Sequence, residues 1–340
     1  MNKRLKINIG TLNFARGISI FLIVVLHTIR PILQNERIMI FSGFSSALVP
    51  FFFVISGYLF TPKSVPETLR STASTMMIPV GYVMIANLIL YPFRVIWSGG
   101  SYLQGIKTMG LAILLGASDD GVFMGIPYVN NGPIWFLIAL FVGWNILNLI
   151  MTINNQKVRV ALIIASSLAG YLLSRAGIVF WCIQGGLIAV GYLAAGYYMK
   201  KMKNGIPTPV RVVILAGAIL SLLFSFMSIA ENKYAYGIPD LLGALCCSYF
   251  LLLACIFLNS VDLAVIDGIE SCGRYSLLVL CIHSVLFTSL PWHMFYTHFG
   301  NPLVGAGLLL IYNFVVIMAV GYVLDRIKRK KMKRKEHVNG

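Results

Sequence analysis

The sequence predicts an all-α protein, a polytopic transmembrane bundle of about ten helices, on three observations. Hydrophobic residues make up 58% of the 340 positions and charged residues only 11%, against roughly half apolar and one-quarter charged in soluble domains. Apolar runs close to the ~20 residues that cross a bilayer recur from Leu12 to Leu324, with only short polar breaks. The net charge of +16 is densest in RIKRKKMKRK, directly after the last apolar run. There it reads as a cytoplasmic anchor facing anionic lipid rather than as a nucleic-acid surface. No segment is left for a soluble core, so residues 1–340 form one membrane domain, with 326–340 as its basic tail.

The first run, 12–32, follows the basic stretch MNKRLKINIG but carries Arg16 and His27 and lacks an Ala-x-Ala-like cleavage site, so it reads as a retained helix rather than a signal peptide. Run length, polar breaks and turn residues place further helices near 41–61, 75–97, 133–152, 158–175, 178–199, 210–230, 239–259, 272–291 and 303–325. The segment 104–117 is too short for a span and suits an interfacial or re-entrant piece. With the N-terminus inside, 20 Lys and Arg fall in cytoplasmic connections and six outside, which puts both termini in the cytoplasm.

Polar residues inside these runs are the candidates for chemistry. Arg16 and His27 are eleven residues apart, three helical turns plus about 20°, so they share one face about 16 Å apart along the axis. Ionisable groups in a span cost on the order of 3 kcal/mol and face the bundle interior or a wet cavity. Taken alone, Arg16 also fits a snorkelling anchor, and His27 a neutral imidazole bonded to a neighbouring helix. His283 lies midway along the ninth run, nine residues from Arg274 and so on the opposite helix face. Ser56 and Gly57 follow an aromatic run and suit close helix contact. In NNGPIWFLIALFVGWN, Pro133 occupies a first-turn position and Trp135 the outer interface; Asn130 and Asn131 suit capping, or polar contact with a ligand. His293 and His298 flank an outer loop as interface residues, with metal binding the lesser alternative. The six cysteines show neither zinc spacing nor C-x-x-C, so no metal site is expected.

Four stretches, LNFARGISIFLIVVLHT with its Arg-x10-His, VPFFFVISGYLF, GPIWFLIALFV and GRYSLLVLCIHSVLF, occur in one order between Leu12 and Phe287. Together they resemble acyltransferase family 3, integral-membrane O-acyltransferases that modify sugars of bacterial surface polysaccharides and related envelope molecules. The resemblance implies a multi-pass protein of the bacterial cytoplasmic membrane, with no bound cofactor. Its donor is acyl-CoA, commonly acetyl-CoA, and its acceptor a hydroxyl on a glycan or lipid-linked sugar. Members often carry an acidic residue three positions before the Arg; here that position is Asn13.

Acyl transfer to an alcohol needs a base beside the hydroxyl, and a histidine titrating near neutrality suits it. His27 is the candidate base and Arg16 the candidate partner of a CoA phosphate, with the shared face lining a path for the pantetheine arm. His283, Ser56 and Trp135 are the candidate substrate-binding residues. The rival reading is a transporter or flippase of lipid-linked glycans, but no internal repeat or deep carboxylate supports it. A non-enzymatic scaffold would leave Arg16 and His27 as packing residues.

Overall fold

A computed structural model describes residues 7–33, 39–177, 180–202, 206–261, 264–299 and 301–339, with the side chains at 30–33, 39–42, 264, 321–322 and 324–339 left aside. The chain runs as α1 (Ile9–Leu33), α2 (Met39–Leu59), α3 (Val65–Thr72), a π-helical turn at Ala73–Met77, α4 (Ile78–Trp97) and α5 (Tyr102–Leu115). A hairpin of β1 (Gly121–Phe123) and β2 (Ile126–Tyr128) and a 3₁₀ turn at Gly132–Ile134 lead into α6 (Trp135–Met151) and α7 (Gln156–Arg175). Then come α8 (Ile183–Lys201), α9 (Thr208–Phe224), a hairpin of β3 (Met227–Ser228) and β4 (Lys233–Tyr234), and α10 (Ile238–Leu258). The chain closes with α11 (Ala264–Arg274), α12 (Ser276–Ser289), α13 (Trp292–His298) and α14 (Pro302–Asn339).

Among the described residues, seven helical stretches are long and apolar enough to cross a membrane, and the bent pair α11–α12 makes an eighth if counted as one span. The apolar windows of α2 and α9, Gly43–Leu59 and Thr208–Phe224, are shorter. Local signals set the boundaries. Asn155 caps α7 by accepting from the Lys157 and Val158 N–H groups, and Ser101 caps α5, which ends on Gly116 in the left-handed region. Asp240, buried in the first turn of α10, accepts from the Tyr236 and Gly237 N–H groups and from Ser225 Oγ, so this carboxylate is a cap, not an ion-coupling group deep in a span.

Packing centres on α8, whose Ile188, Ala189, Val190, Leu193 and Ala194 are buried among α2, α6 and α7. A Cβ at Gly57 would overlap the Leu193 carbonyl oxygen and one at Gly196 the Val54 carbonyl oxygen, so α2 and α8 touch backbone to backbone. The expected close contact at Ser56–Gly57 is found here. Around this centre α7 turns large apolar side chains such as Ile164 and Leu172 outward, as a lipid-facing helix does.

Two expectations are corrected. The third helical run begins at Val65 rather than 75, because its leading segment VPETLRST, too polar to count as apolar, continues into α4 through the π-helical turn. The run 272–291 is not one helix: α11 meets α12 at 78° about Tyr275. A Cβ at Gly273 would overlap the Asn13 carbonyl oxygen, so α11 is held across α1 and the chain must turn to ascend as α12. Arg274 and His283 therefore lie on different helices, and the opposite-face argument lapses. The basic residues Lys3, Arg4, Lys6, Arg37 and Lys203 lie outside the described residues, as do the side chains of the basic tail.

Candidate active site

Because Gly17 and Gly273 let α1 and α11 cross closely, α12 rises beside α1 in the same direction. That brings His283 to His27. The His27 Nδ1 and His283 Nε2 atoms are 3.1 Å apart, and the rings stack with centroids 5.3 Å apart and planes 15° from parallel. At this distance one ring donates its N–H and the other accepts. His283 is fully buried and His27 partly so. Phe287 lies 5.1 Å from the His27 ring and Trp292 5.9 Å from the His283 ring, and these two aromatics pack edge to face on each other. The Tyr296 hydroxyl donates to the Thr28 carbonyl at 2.7 Å, tying α13 to α1 just past His27. A pair walled in by aromatic rings sits in low dielectric, where its hydrogen bond strengthens.

Behind the pair stands Asn313 of α14, which is fully buried. Its Nδ2 donates to the Leu309 carbonyl at 2.8 Å. The Asn313 side chain interacts with His283, and Asn313 Oδ1 and His283 Nδ1 are each buried without a partner in ordinary hydrogen-bond geometry.

Arg16 is not part of this cluster. Three turns below His27 on the unbroken α1, it is half-buried and makes no hydrogen bond or ion pair with any described residue. Ile20 and Val24, on the stripe between them, are buried, so the shared face is packed rather than open along its length. Ser56 is buried on α2, and no hydrogen bond joins it to the histidines. Trp135 lies inside the packing, beside Phe136 and Gly185. His293 and His298 are exposed on α13, and no cluster of three or more metal-ligating side chains occurs among the described residues.

Sequence reasoning passed over Asn87, Ser284, Thr288 and Asn313 nearby, and read Asn131 as a cap or a ligand contact. Asn87, Asn131, Ser284, Thr288 and Asn313 are all buried, and each interrupts or borders an apolar run, the signal that singled out Arg16 and His27. Asn131 precedes the Gly132–Ile134 turn but makes no capping hydrogen bond with its side chain, so capping is not its role. Asn130 does serve locally, accepting from the Gly132 N–H at 3.0 Å.

An imidazole pair beside an aromatic wall, with a guanidinium three turns away on the same helix that pairs with none of the described residues, is equipped for proton transfer next to a bound anion. No curated protein and no solved structure matches the chain. The family model described as an acyltransferase domain matches residues 9–324, nearly the whole length. With its membrane-length helices, the chain therefore belongs to acyltransferase family 3 and is a multi-pass membrane acyltransferase.

Proposed function

We propose that the protein moves an acyl group, in the first place acetyl, from acyl-CoA to a hydroxyl of a cell-envelope or exopolysaccharide sugar, with His27 as general base. The observation that carries this reading is the 3.1 Å His27–His283 pair inside a chain of this family. The proton between the rings belongs to either nitrogen by geometry alone, but Asn313 favours one arrangement. Its Nδ2 is engaged by Leu309, so the amide end turned to His283 is the oxygen, an acceptor. A His283 proton on Nδ1 suits that oxygen and leaves His283 Nε2 to accept from His27 Nδ1–H. His27 Nε2 is then a lone pair, the form a base requires. His283 and Asn313 act here as positioning residues.

In the reaction His27 Nε2 takes the acceptor hydroxyl proton as the oxygen attacks the thioester carbonyl. The C–O bond forms and the C–S bond breaks. The proton then passes from His27 to the departing thiolate, giving the sugar ester and free CoA. Arg16, lacking a protein counter-charge among the described residues, holds a CoA phosphate through a charge-assisted fork. The acyl arm then spans the three helical turns from Arg16 to His27, about 16 Å. In this reading the protein sits in a bacterial cytoplasmic membrane with both termini inside, so that Arg16 faces the cytoplasmic pool of donor.

The test is to incubate nanodisc-embedded protein with labelled acetyl-CoA and envelope glycan isolated from cells deleted for the gene. Base-labile label on the glycan supports the reading. No transfer from acetyl-CoA or longer acyl-CoA, in correctly inserted protein, overturns it.

A further inference from the structure

On the side of the histidine pair away from Arg16, three elements meet in a patch of buried polar groups that the protein itself leaves unpaired. Asn131, ahead of α6, is fully buried with neither Oδ1 nor Nδ2 hydrogen-bonded. Asn87 on α4 is also fully buried; its Nδ2 makes a long 3.4 Å bond to the Asn131 carbonyl, and its Oδ1 has no partner. Thr288, on α12 five residues beyond His283, has its Oγ1 buried and unpaired. Ser284 binds the patch together by donating to the Asn131 carbonyl at 3.0 Å. Gly132 closes it: its φ is +70°, and a Cβ there would come within 2.7 Å of Thr288 Oγ1 and 2.8 Å of Ser284 Oγ. Each buried group left unpaired costs roughly 1–3 kcal/mol, and several together in one place point to a ligand that pairs them.

We propose that Asn87, Asn131 and Thr288 form the subsite that holds the hydroxyl-bearing acceptor, an inference that rests on the acyl-transfer reading above. The set offers both donors (Asn131 Nδ2, Thr288 O–H) and acceptors (Asn131 Oδ1, Asn87 Oδ1), and none of the three is charged. A phosphate or carboxylate accepts only and would meet the lone pairs of two amide oxygens; an ammonium fails at the donors. A sugar ring with neighbouring hydroxyls, each donor and acceptor at once, pairs every group. The nearby guanidinium of Arg94 is engaged by the Thr288 carbonyl at 2.7 Å and steadies α12. Position separates acceptor from donor: the patch lies beyond His27 and His283, and Arg16 three turns before them on α1. The groups are closed from solvent.

The experiment compares wild type, Asn131→Leu and Thr288→Val in nanodiscs, with labelled acetyl-CoA and envelope glycan from cells deleted for the gene. Loss of one neutral hydrogen bond raises the acceptor KM by roughly three- to tenfold, with donor KM and thermal midpoint unchanged or the midpoint raised. Thr288→Val keeps the shape and so reports on the hydroxyl even if Asn131→Leu folds poorly. An unchanged acceptor KM, with or without a lower midpoint, makes the patch structural and overturns the proposal. A rise in donor KM instead assigns it to the pantetheine amides and overturns it equally. A wild type that transfers nothing removes the acyl-transfer reading itself, which is a separate failure from an active wild type with indifferent variants.

Discussion

At the Met151 end of α6, Asn148 is buried and spends its whole amide on one backbone position: its Oδ1 accepts from the Lys63 N–H and its Nδ2 donates to the Lys63 carbonyl, each at 3.0 Å. Asn145, one turn earlier, donates to Thr72 Oγ1 and to the Phe141 carbonyl. Ahead of the Trp135 end, Asn131 is just as buried, yet both ends of its amide are unpaired, beside an equally unpaired Asn87 Oδ1 and Thr288 Oγ1. The same side chain staples the fold at one end and is held open at the other. Buried amides that matter to stability are satisfied by the chain itself, and the cluster left open ahead of α6 is where the acceptor is proposed to bind.

Stability measurements test that contrast most strongly. Asn148→Leu breaks both hydrogen bonds to the Lys63 backbone, at roughly 0.5–1.5 kcal/mol each, and is expected to lower the denaturation midpoint; Asn131→Leu removes only groups that were already unpaired and is expected to leave it unchanged or raise it. Equal losses in the two variants would erase the distinction. Arg16→Ala comes next in size. A charged hydrogen bond to a phosphate is worth about 1.5–3 kcal/mol, so the donor KM is expected to rise ten- to hundredfold, with Arg16→Lys recovering part of it because an ammonium cannot form the fork. A donor KM untouched by Arg16→Ala would make Arg16 a snorkelling anchor. Asn313→Leu has the smallest effect. It removes the acceptor that orients His283, so kcat is expected to fall about tenfold, the scale of one hydrogen bond, with both KM values kept and Asn313→Asp restoring activity. A parallel drop in thermal midpoint and in every kinetic constant would mark Asn313 as a packing residue.

Much of this was readable from the chain. Apolar run length placed α1, α6, α8 and α10, because crossing a bilayer fixes both composition and length. The ionisable-residue rule picked out His27 and His283, though not that they meet: their contact depends on the bend at Tyr275, and that bend on Gly273 fitting against the Asn13 carbonyl, a long-range fact with no local signature. Ser56 is buried next to Gly57, the residue through which α2 touches α8, and no local signature in the sequence tells packing from substrate contact there. Asn131 was weighed as a cap because a residue ahead of a helix usually serves as one; only the folded arrangement of α4, α6 and α12 shows its amide unused.

The most direct measurement is the turnover of His27→Ala and His27→Gln against wild type across pH, in protein shown to insert normally. General-base catalysis by His27 predicts a loss on the order of 10²–10⁴-fold in both variants. The wild-type rate should fall as pH drops and His27 becomes protonated, because the protonated ring cannot accept the hydroxyl proton, and the variants should lack that dependence. Near-normal transfer by His27→Ala, or a wild-type rate that rises as the imidazole protonates, would contradict the assignment of His27 as the base.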